Sequence, residues 1–301
     1  MNQEEKEYLN LLKKIINTGI IRSDRTGIGT IGIFGSQLRY SLENNKIPLL
    51  TTKKMFTKGI IEELLFFIRG ETDTKKLEAK GINIWKGNTS REFLDKRGLN
   101  HLPEGDMGLG YGAQWRRAGH SIVNGNVKVD ESSYDYKITI DGIDQLAQVI
   151  NDIKTNPYSR RHIISAWNPQ QIKDMALPCC HCFMQFYVEN NNLSCLFYCR
   201  SQDTFLGNPY NTASYAILTH IIAKITGLKA KELIFTGGDV HLYLNHLDAV
   251  KEQIKREPYD FPTLEITKNI KTIEDIENLQ YEDFIIKDYK CYSVIKAPMA
   301  I

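Results

Sequence analysis

A β-hairpin followed directly by a buried helix is the pattern that most restricts how this sequence can fold. Apolar residues recur through 183–189 and 193–200, on either side of an Asn-Asn-Asn turn at 190–192. The next segment, 214–225, is apolar around most of a helix and is followed by Gly227. A helix of this kind must be covered on nearly every side, which favours a sheet with helices packed on it.

The other predicted elements alternate irregularly along the chain. Helical apolar spacing covers 7–18, 57–69 and 143–154, and strands are predicted at 31–34, 162–167 and 234–240. Because these elements do not repeat as regular βαβ units, we predict an α+β fold with a large mixed β-sheet covered by helices. We expect a single domain over residues 1–301, with a polar surface insertion at 117–140.

Charge and cysteine content narrow the class of protein. The 38 basic and 36 acidic residues leave a net charge of +2, which gives no electrostatic case for wrapping DNA. No stretch approaches the ~18 apolar residues of a membrane span, and the N-terminus shows no apolar signal region, so we expect a cytoplasmic protein. Five of the six cysteines fall within 179–199, without zinc-site or secreted-disulfide spacing, so we predict reduced thiols and no metal.

A polar stretch at 200–211 follows the hairpin and suits an anionic, amide-bearing ring. It supplies an arginine, a hydroxyl, a carboxylate and a side-chain amide, and a thiol, Cys180, lies twenty residues upstream beside His181. A cysteine attacks as thiolate and needs positive neighbours. Adjacent strand residues point to opposite faces, so Arg200, or the arginines of a phosphate site, is a better neighbour than His181. The residues alone leave open whether Cys180 is a nucleophile or a core thiol.

Several long motifs, all in one order, resemble those of thymidylate synthases. The segment 175–181 (Met-Ala-Leu-Pro-Cys-Cys-His) resembles Met-Ala-Leu-Pro-Pro-Cys-His, which places Cys180 on the nucleophile and Cys179 on the second proline. The resemblance spans essentially the whole chain except 117–140. Its other motifs are Asp24-Arg25-Thr26-Gly27, Leu50-Thr51-Thr52-Lys53, Glu63-Leu64-Leu65, Tyr111-Gly112, Gln114-Trp115-Arg116, Ser159-Arg160-Arg161, Ala166-Trp167-Asn168-Pro169, the run 237–243 and the terminal run 295–301.

The resemblance implies an activity and an assembly. The family methylates dUMP at C5 to dTMP, taking carbon and hydride from 5,10-methylenetetrahydrofolate and releasing dihydrofolate, without a metal. It works as a symmetric homodimer formed through its sheets, in which an arginine pair, here Arg160 and Arg161, reaches the partner's site. On residues alone, two adjacent arginines are more often simple surface charge.

The resemblance also implies catalytic roles. It implies that Cys180 adds to C6 of the uracil, that Glu63 moves protons through water, and that Tyr111 removes the C5 proton. Asn211 would read the N3 and O4 edge of the uracil, and Asp203 would touch both substrates. On residues alone, Asn211 is also a normal turn residue, and Glu63 is either a helix-edge surface group or a buried acid with a raised pKa.

The implied contacts fall into a nucleotide set and a folate set. The residues implied to bind dUMP are Arg25, Arg160, Arg161, Arg200, Ser201, Gln202, Asp203, Asn211, His241, Leu242 and Tyr243. The residues implied to line the folate pocket are Phe56, Trp85, Asp203, Leu206, Tyr210 and Ala300, the last in a terminal segment expected to close over the folate.

Some positions depart from the family pattern, mainly on the folate side. They are Lys86, Leu109, Gly110, Cys179, Cys199, Gln202 and Tyr210. The alternative function is therefore a dUMP 5-hydroxymethylase, in which water captures the methylene intermediate. The retained Trp85 favours methyl transfer with reduction, and Asn211, where cytosine-specific relatives carry aspartate, favours dUMP. A non-enzymatic nucleotide- or RNA-binding protein is disfavoured because Cys180, Arg200 and Asn211 are all present.

Overall fold

The computed structural model describes residues 2–129 and 132–299. The strands, in chain order, are β1 (Ile20–Arg22), β2 (Thr30–Ser41), β3 (Ser121–Val129), β4 (Ser132–Ile140), β5 (Ile163–Ser165), β6 (His181–Glu189), β7 (Asn192–Asp203), β8 (Lys229–Tyr243), β9 (Thr263–Ile266) and β10 (Phe284–Lys287). The helices are α1 (Gln3–Thr18), α2 (Thr57–Ile68), α3 (Lys75–Glu78), α4 (Arg91–Lys96), α5 (Gly112–Arg117), α6 (Gln145–Thr155), α7 (Gly207–Thr226), α8 (Leu247–Gln253) and α9 (Ile273–Glu277).

A six-stranded mixed sheet organises the molecule. Its order is β1-β2-β8-β7-β6-β5, in which β7 and β8 run parallel and every other neighbouring pair is antiparallel. The long helix α7 makes the connection between β7 and β8, as a parallel pair requires. This architecture confirms the predicted α+β fold with a large mixed sheet and packed helices.

The two faces of the sheet differ in what covers them. On one face, Phe197 of β7 stacks on Tyr215 of α7 with ring centroids 4.3 Å apart and planes within 6°. Both side chains are buried in the core that α1, α2 and α7 complete. On the other face, Phe183 stacks on Tyr198 at 5.7 Å, both half-buried, and the nearby Tyr187 is exposed. Within the described chain, this second face is the less covered one.

Helix α7 begins earlier than the sequence predicts. We expected a loop through 200–211 and a helix from 214, whereas β7 runs to Asp203 and α7 starts at Gly207. Proline is tolerated in the first turn of a helix, because its missing N–H has no helical acceptor there, so Pro209 does not delay the start. The backbone N–H groups of Phe205 and Leu206 donate to Asp203 Oδ1 at 3.0 and 3.1 Å, which fixes the turn before the helix.

Residues 121–140 form a two-stranded ribbon at the surface. Strands β3 and β4 pair antiparallel, from Ser121 opposite Ile140 to Val129 opposite Ser132. Reciprocal N–H to O bonds of 2.9 Å between Ala118 and Ile143 close the base of the ribbon. The segment 117–140 is not uniformly polar, as the sequence suggested, because one face of the ribbon carries exposed apolar side chains.

Candidate active site

A cavity of 580 Å³ lies at the end of the sheet where β7 and β8 finish and β6 begins. Parallel strands bring their carboxyl ends together, so residues 200–203 of β7 lie beside 238–241 of β8. Six of the predicted site residues line the cavity: Arg25, Cys180, Arg200, Ser201, His241 and Tyr243.

Arg200 is fixed directly beside the Cys180 thiol. Its Nε donates to the carbonyl of Cys179 at 2.9 Å, and its Nη2 donates to the carbonyl of Pro178 at 2.7 Å. The same Nη2 lies 3.7 Å from Cys180 Sγ. Cys180 Sγ therefore has a permanent positive charge beside it, which is the kind of neighbour that a nucleophilic cysteine needs. Arg200 is one of the two sources of positive charge expected for Cys180, and the structure places it beside the sulfur.

The sulfurs around Cys180 are poorly suited to attack. Cys179 and Cys199 are buried, and burial raises the pKa of Cys179 to about 12 and that of Cys199 well above its ordinary value. Burial also raises the pKa of Cys182. Cys180 is half-buried and faces the cavity, so geometry and exposure single it out from the other three.

His181 is turned away from the thiol, as expected for the next residue of a strand. Its Nδ1 is 2.8 Å from the hydroxyl of Tyr215 in the core. Burial lowers the pKa of His181 to about 3, so the ring is neutral at physiological pH. The imidazole therefore cannot form an ion pair with Cys180, and it serves as a packed core group.

Tyr111 is tied to the cysteine segment at two points. Its hydroxyl accepts the backbone N–H of Cys180 at 2.9 Å, and its own N–H lies 3.2 Å from Cys179 Sγ. The ring stacks on Phe67 with centroids 5.0 Å apart. Tyr111 has a φ of 39°, a region that a bulky residue rarely adopts, and these contacts hold it there. Cys179, which stands at the position of the family's second proline, thus supports the backbone of Tyr111 through its thiol.

Glu63 is one of two adjacent acids on the largely apolar helix α2. Its Oε1 accepts the indole N–H of Trp85 at 2.7 Å. Burial raises the pKa of Glu63 to about 7, against the opposing effect of the Trp85 hydrogen bond. Its neighbour Glu62 instead pairs with Lys80. Of the two alternatives that the sequence left open, the structure shows the acid with a raised pKa.

Aromatic contacts connect Glu63 to the region of the thiol. The Trp85 ring meets Tyr111 edge-on at 5.7 Å, and Tyr111 lies 4.2 Å from the His181 ring, measured between centroids. Together with Phe67, these rings form a continuous apolar wall. Such a wall limits the entry of water next to the acid and the thiol.

A short chain of side-chain bonds orients Asn211. Its Nδ2 donates to Gln202 Oε1 at 3.3 Å, and Gln202 Nε2 donates to the carbonyl of Asp203 at 3.1 Å. Gln202 is buried, so this chain fixes the amide from behind. Asn211 is not in the wall of the 580 Å³ cavity; it lies in the first turns of α7, next to the strand end that forms this wall.

The far wall of the cavity is rich in paired charges. His241 Nδ1 is 2.9 Å from Asp239 Oδ1, and Asp239 also forms an ion pair with Arg22. Asp24 accepts the N–H groups of Thr26 and Gly29 at 2.9 and 2.8 Å, which shapes the turn that presents Arg25. Four arginines line this cavity, a set suited to a doubly charged anion: Arg22, Arg25, Arg97 and Arg200.

The predicted folate residues lie to the side of the cavity on separate elements. Phe56, at the start of α2, is exposed, and the hydroxyl of Tyr210 bonds to its backbone. Leu206 and Tyr210 pack on the core at the start of α7. His246 Nε2 bonds to the carbonyl of Pro298 at 2.7 Å, which brings the C-terminal segment near this side. Ala300 lies outside the described residues.

Six predicted nucleotide residues do not line the cavity: Gln202, Asp203, Asn211, Arg160, Arg161 and Leu242. Arg160 and Arg161 are exposed, and Arg161 lines a separate groove of 340 Å³ with Ile163 and Trp167. Leu242 is buried in the core between His241 and Tyr243. The structure thus separates the arginine pair from the cavity of its own chain.

Sequence reasoning gave no role to several residues that belong to the site. Lys53 is buried, bonded to the carbonyl of Phe205, and burial lowers its pKa to about 7 against the opposing charge of Asp203. Asn88 is buried in the cavity wall, and its Oδ1 has no partner in the described structure; Arg97 lines the same cavity. Lys53 stands in a recognised motif, whereas Asn88 and Arg97 carry no signal that a single sequence reveals.

Comparisons with known proteins place the chain in one family. A sequence model of the family described as thymidylate synthase matches residues 6–301. The chain is 48% identical over its full length to the thymidylate synthase of Ascaris suum and 49% identical to that of Saccharomyces cerevisiae, and it covers 98% of each. It is also 48% identical to a bifunctional dihydrofolate reductase-thymidylate synthase of Leishmania major, of which it spans 56%.

The described residues contain neither a cluster suited to a metal ion nor a membrane-spanning helix. No group of three or more His, Cys, Asp or Glu side chains is arranged to hold a metal ion within 2–129 and 132–299. Over the same residues, no helix has the length and apolar character to span a membrane.

Proposed function

The chain belongs to the thymidylate synthase family and methylates dUMP to dTMP with 5,10-methylenetetrahydrofolate, and we propose how its residues divide that reaction. The observation that carries the proposal is the placement of Cys180 Sγ 3.7 Å from Arg200 Nη2 at the wall of an arginine-lined cavity. A nucleophilic sulfur and an anion site side by side fit a nucleotide whose base is attacked while its phosphate is held.

The phosphate of dUMP binds at the arginine end of the cavity. Arg25 and Arg200 supply planar donor groups, and Ser201 adds a hydroxyl. His241 and Tyr243, two apart on β8, point to one face and take the deoxyribose hydroxyl. Because these groups lie on neighbouring strands and one turn, nucleotide binding needs little reorganisation of the backbone.

Cys180 then forms a bond to C6 of the uracil. The thiolate adds to C6, the C5–C6 π electrons move toward the C4 carbonyl, and C5 becomes the nucleophile that takes the one-carbon unit. Loss of the C5 proton and departure of tetrahydrofolate leave an exocyclic methylene on C5. Hydride from that tetrahydrofolate then reduces the methylene to a methyl group as the thiolate leaves C6, which gives dTMP, dihydrofolate and free enzyme. Arg200 stabilises the thiolate before addition and again on release, since its guanidinium is fixed by two backbone carbonyls.

Two groups handle the protons of this sequence. Glu63, with a pKa of about 7, is protonated in part at neutral pH and donates to the pyrimidine and the folate through water. Tyr111 is held against the cysteine segment, where it takes part in removing the C5 proton. Asn211, oriented by Gln202, pairs with the N3 and O4 edge of the uracil and supports the charge that develops on O4.

The folate side supplies the carbon unit and the hydride. The aromatic wall of Trp85 and Tyr111 beside Glu63 gives a flat apolar surface for a ring, and the unpartnered Oδ1 of buried Asn88 offers it a polar contact. Phe56, Leu206 and Tyr210 extend this surface along the starts of α2 and α7. Trp85 excludes water, which favours reduction over hydroxymethyl formation.

We propose a symmetric homodimer formed through the less covered face of the sheet. That face carries Phe183, Tyr187 and Tyr198, which are too apolar for a surface that stays in water. Arg160 and Arg161 lie exposed at the β5 edge of the same sheet, outside the cavity of their own chain. In a two-fold dimer they reach the phosphate in the partner's cavity.

The activity test is identification of the product. Enzyme, dUMP and methylenetetrahydrofolate are mixed, and the pyrimidine product is identified by mass while dihydrofolate is followed by absorbance. We expect dTMP and dihydrofolate in equal amounts. A product that is mainly 5-hydroxymethyl-dUMP, without dihydrofolate, would establish the alternative function.

The shared-site test is subunit mixing. Cys180→Ser and Arg161→Ala are each expected to be nearly inactive, but a mixed dimer contains one site with both defects and one with neither. Activity should therefore return when the two variants exchange subunits, to at most about a quarter of the wild-type value if pairing is random. Absence of recovery despite verified exchange would show that the arginine acts elsewhere.

A further inference from the structure

The surface ribbon formed by β3 and β4 has one mainly apolar face. Val123 lies opposite Ile138, and Gly125 lies opposite Tyr136, so these residues share one side of the ribbon. Tyr134 and Ile140 fall on the same side by the two-residue period of a strand. We call Val123, Tyr134, Tyr136, Ile138 and Ile140 the ribbon face.

The opposite side of the ribbon has a different character. It carries Asn124 opposite Lys137 and Thr139 opposite Ile122, so it is polar apart from one isoleucine. Alternation of this kind is typical of a strand pair with one side in water and the other packed on protein.

Within the described residues of a single chain, the ribbon face is left about half exposed. Its five side chains are 43–56% exposed. A two-stranded ribbon is only marginally stable by itself in water and needs packing on one face. The amphipathic pattern and the exposure together indicate a surface that another protein surface covers.

The position of the ribbon indicates which surface that is. The Ala118–Ile143 pair closes its base, and Ile143 lines the 340 Å³ groove together with Arg161, Ile163 and Trp167. Ile143, Ile163 and Trp167 are themselves exposed apolar residues. This groove runs along β5, the edge of the sheet that carries the arginine pair, so the ribbon continues the surface proposed to meet the second subunit.

The charge of the ribbon argues against other occupants. Residues 121–140 contain two lysines and three acidic residues, a net charge of −1. A nucleic acid or an anionic membrane would require an excess of positive charge. Tyrosine and isoleucine on an otherwise uncharged face are typical of protein interfaces.

We propose that the ribbon face docks on a second copy of this chain and extends the sheet interface of the homodimer. The inference rests on the homodimer of the proposed function and adds to it a contact formed by 121–140. Two-fold symmetry makes each subunit both donor and acceptor of a ribbon, so the contact forms twice per dimer.

Photo-crosslinking tests the contact directly. Benzoylphenylalanine replaces Tyr136 on the ribbon face or, as the matched control, Lys137 on the polar side, in the full chain. Isotope-labelled and unlabelled chains are exchanged before irradiation. We expect position 136 to give a mixed-isotope two-chain product and position 137 to give little. Crosslinks from 136 that stay within one chain, or none, would overturn the proposal.

A pair of charge substitutions tests how much the ribbon contact contributes to dimer affinity. Ile138→Asp places a carboxylate on the ribbon face, and Thr139→Asp places the same group one residue away on the polar side. Sedimentation should show that Ile138→Asp raises the dimer dissociation constant by about tenfold or more. Thr139→Asp should leave that constant nearly unchanged.

The outcomes separate this inference from the proposed function. Equal dimer affinity in both variants overturns the ribbon contact and leaves the sheet dimer standing, whereas a monomeric wild-type chain overturns both. Product identification is independent of either result. If Ile138→Asp does not fold, Tyr136→Ser on the same face takes its place, with circular dichroism as the check on folding.

Discussion

The two walls of the proposed active site are built in different ways. The nucleotide wall, made by Cys180, Arg200, Ser201, His241 and Tyr243, lies on adjacent strands whose register is fixed by backbone hydrogen bonds. The folate wall, made by Phe56, Trp85, Leu206 and Tyr210, comes from separate helices and loops.

The difference predicts how the two walls respond to substitution, although departures from the family pattern also occur on strand β7, at Cys199 and Gln202. A strand residue cannot be displaced without disturbing its neighbours in the ladder, so the positions of the nucleotide wall tolerate little change. Residues on separate elements adjust more independently, and departures such as Lys86 and Tyr210 lie on that side. We therefore expect substitutions on the nucleotide wall to abolish or redirect chemistry, and substitutions on the folate wall to alter what happens to an intermediate already formed.

The largest effect should come from the nucleophile. Cys180→Ser should lower turnover by roughly a thousandfold or more while leaving the fold intact, because a hydroxyl lacks thiolate character at neutral pH. The matched control is Cys179→Ser, which removes a buried thiol 3.2 Å from the Tyr111 N–H and should retain substantial activity. With 5-fluoro-dUMP and methylenetetrahydrofolate, the wild-type chain should trap an adduct on Cys180. An adduct on Cys179 or Cys182 would contradict the assignment.

The second largest loss of turnover should come from substitution of Glu63, and the size of that loss should depend on pH. If the protonated acid donates, activity should fall as pH rises through about 7, the pKa to which burial raises this carboxyl. Glu63→Gln should lower turnover by about a hundredfold or more and remove that limb of the pH profile. Glu62→Gln, one residue away but paired with Lys80, is the control and should keep it. An unchanged profile in Glu63→Gln would assign the limb to another group.

Asn211 lies where the two walls meet, and its substitution tests which group reads the base. Asn211→Asp should shift preference from dUMP towards dCMP by about tenfold or more, because a protonated carboxyl matches the cytosine edge while a carboxylate repels uracil O4. Competition between the two nucleotides at equal concentration measures the ratio. Unaltered discrimination would mean that the base is read by other groups.

The smallest loss of turnover should come from the folate wall, with a change of product. Replacing Trp85 with leucine opens the wall beside Glu63 and Tyr111 and should admit water or added thiol to the methylene intermediate. We expect 5-hydroxymethyl-dUMP or a thiol adduct as a minor product beside dTMP. Trp167→Leu, which alters a different tryptophan near Arg200, is the comparison and should give dTMP alone. A Trp85 variant that makes only dTMP would assign the exclusion of water to another part of the wall.

Strand geometry made part of this site predictable. The rule that adjacent strand residues face opposite ways separated Cys180 from His181 and pointed to Arg200, and the structure shows those contacts. The start of α7 was not predictable, because Gly-Asn-Pro is equally typical of a loop and of a first helical turn, and packing decides between them.

Other features of the structure could not be predicted because they depend on long-range contacts. Lys53 follows two threonines, and a lysine in such a polar segment is usually exposed at the surface. Its ammonium nevertheless bonds to the carbonyl of Phe205, 152 positions away. The contact of Lys53 depends on which segments meet in space, which no local window of the sequence contains. The ribbon is different, because the alternation of apolar residues along 134–140 is a local strand signal that the polar composition of 117–140 concealed.

The burial of its thiols gives this protein a narrow reactivity towards electrophiles. Four of the six cysteines are buried, and Cys180 and Cys291 are partly exposed. Only Cys180 combines that exposure with an arginine beside the sulfur. A mild alkylating group carried on a pyrimidine scaffold would therefore modify one atom in each subunit, and the stoichiometry of its incorporation would count intact active sites in a preparation.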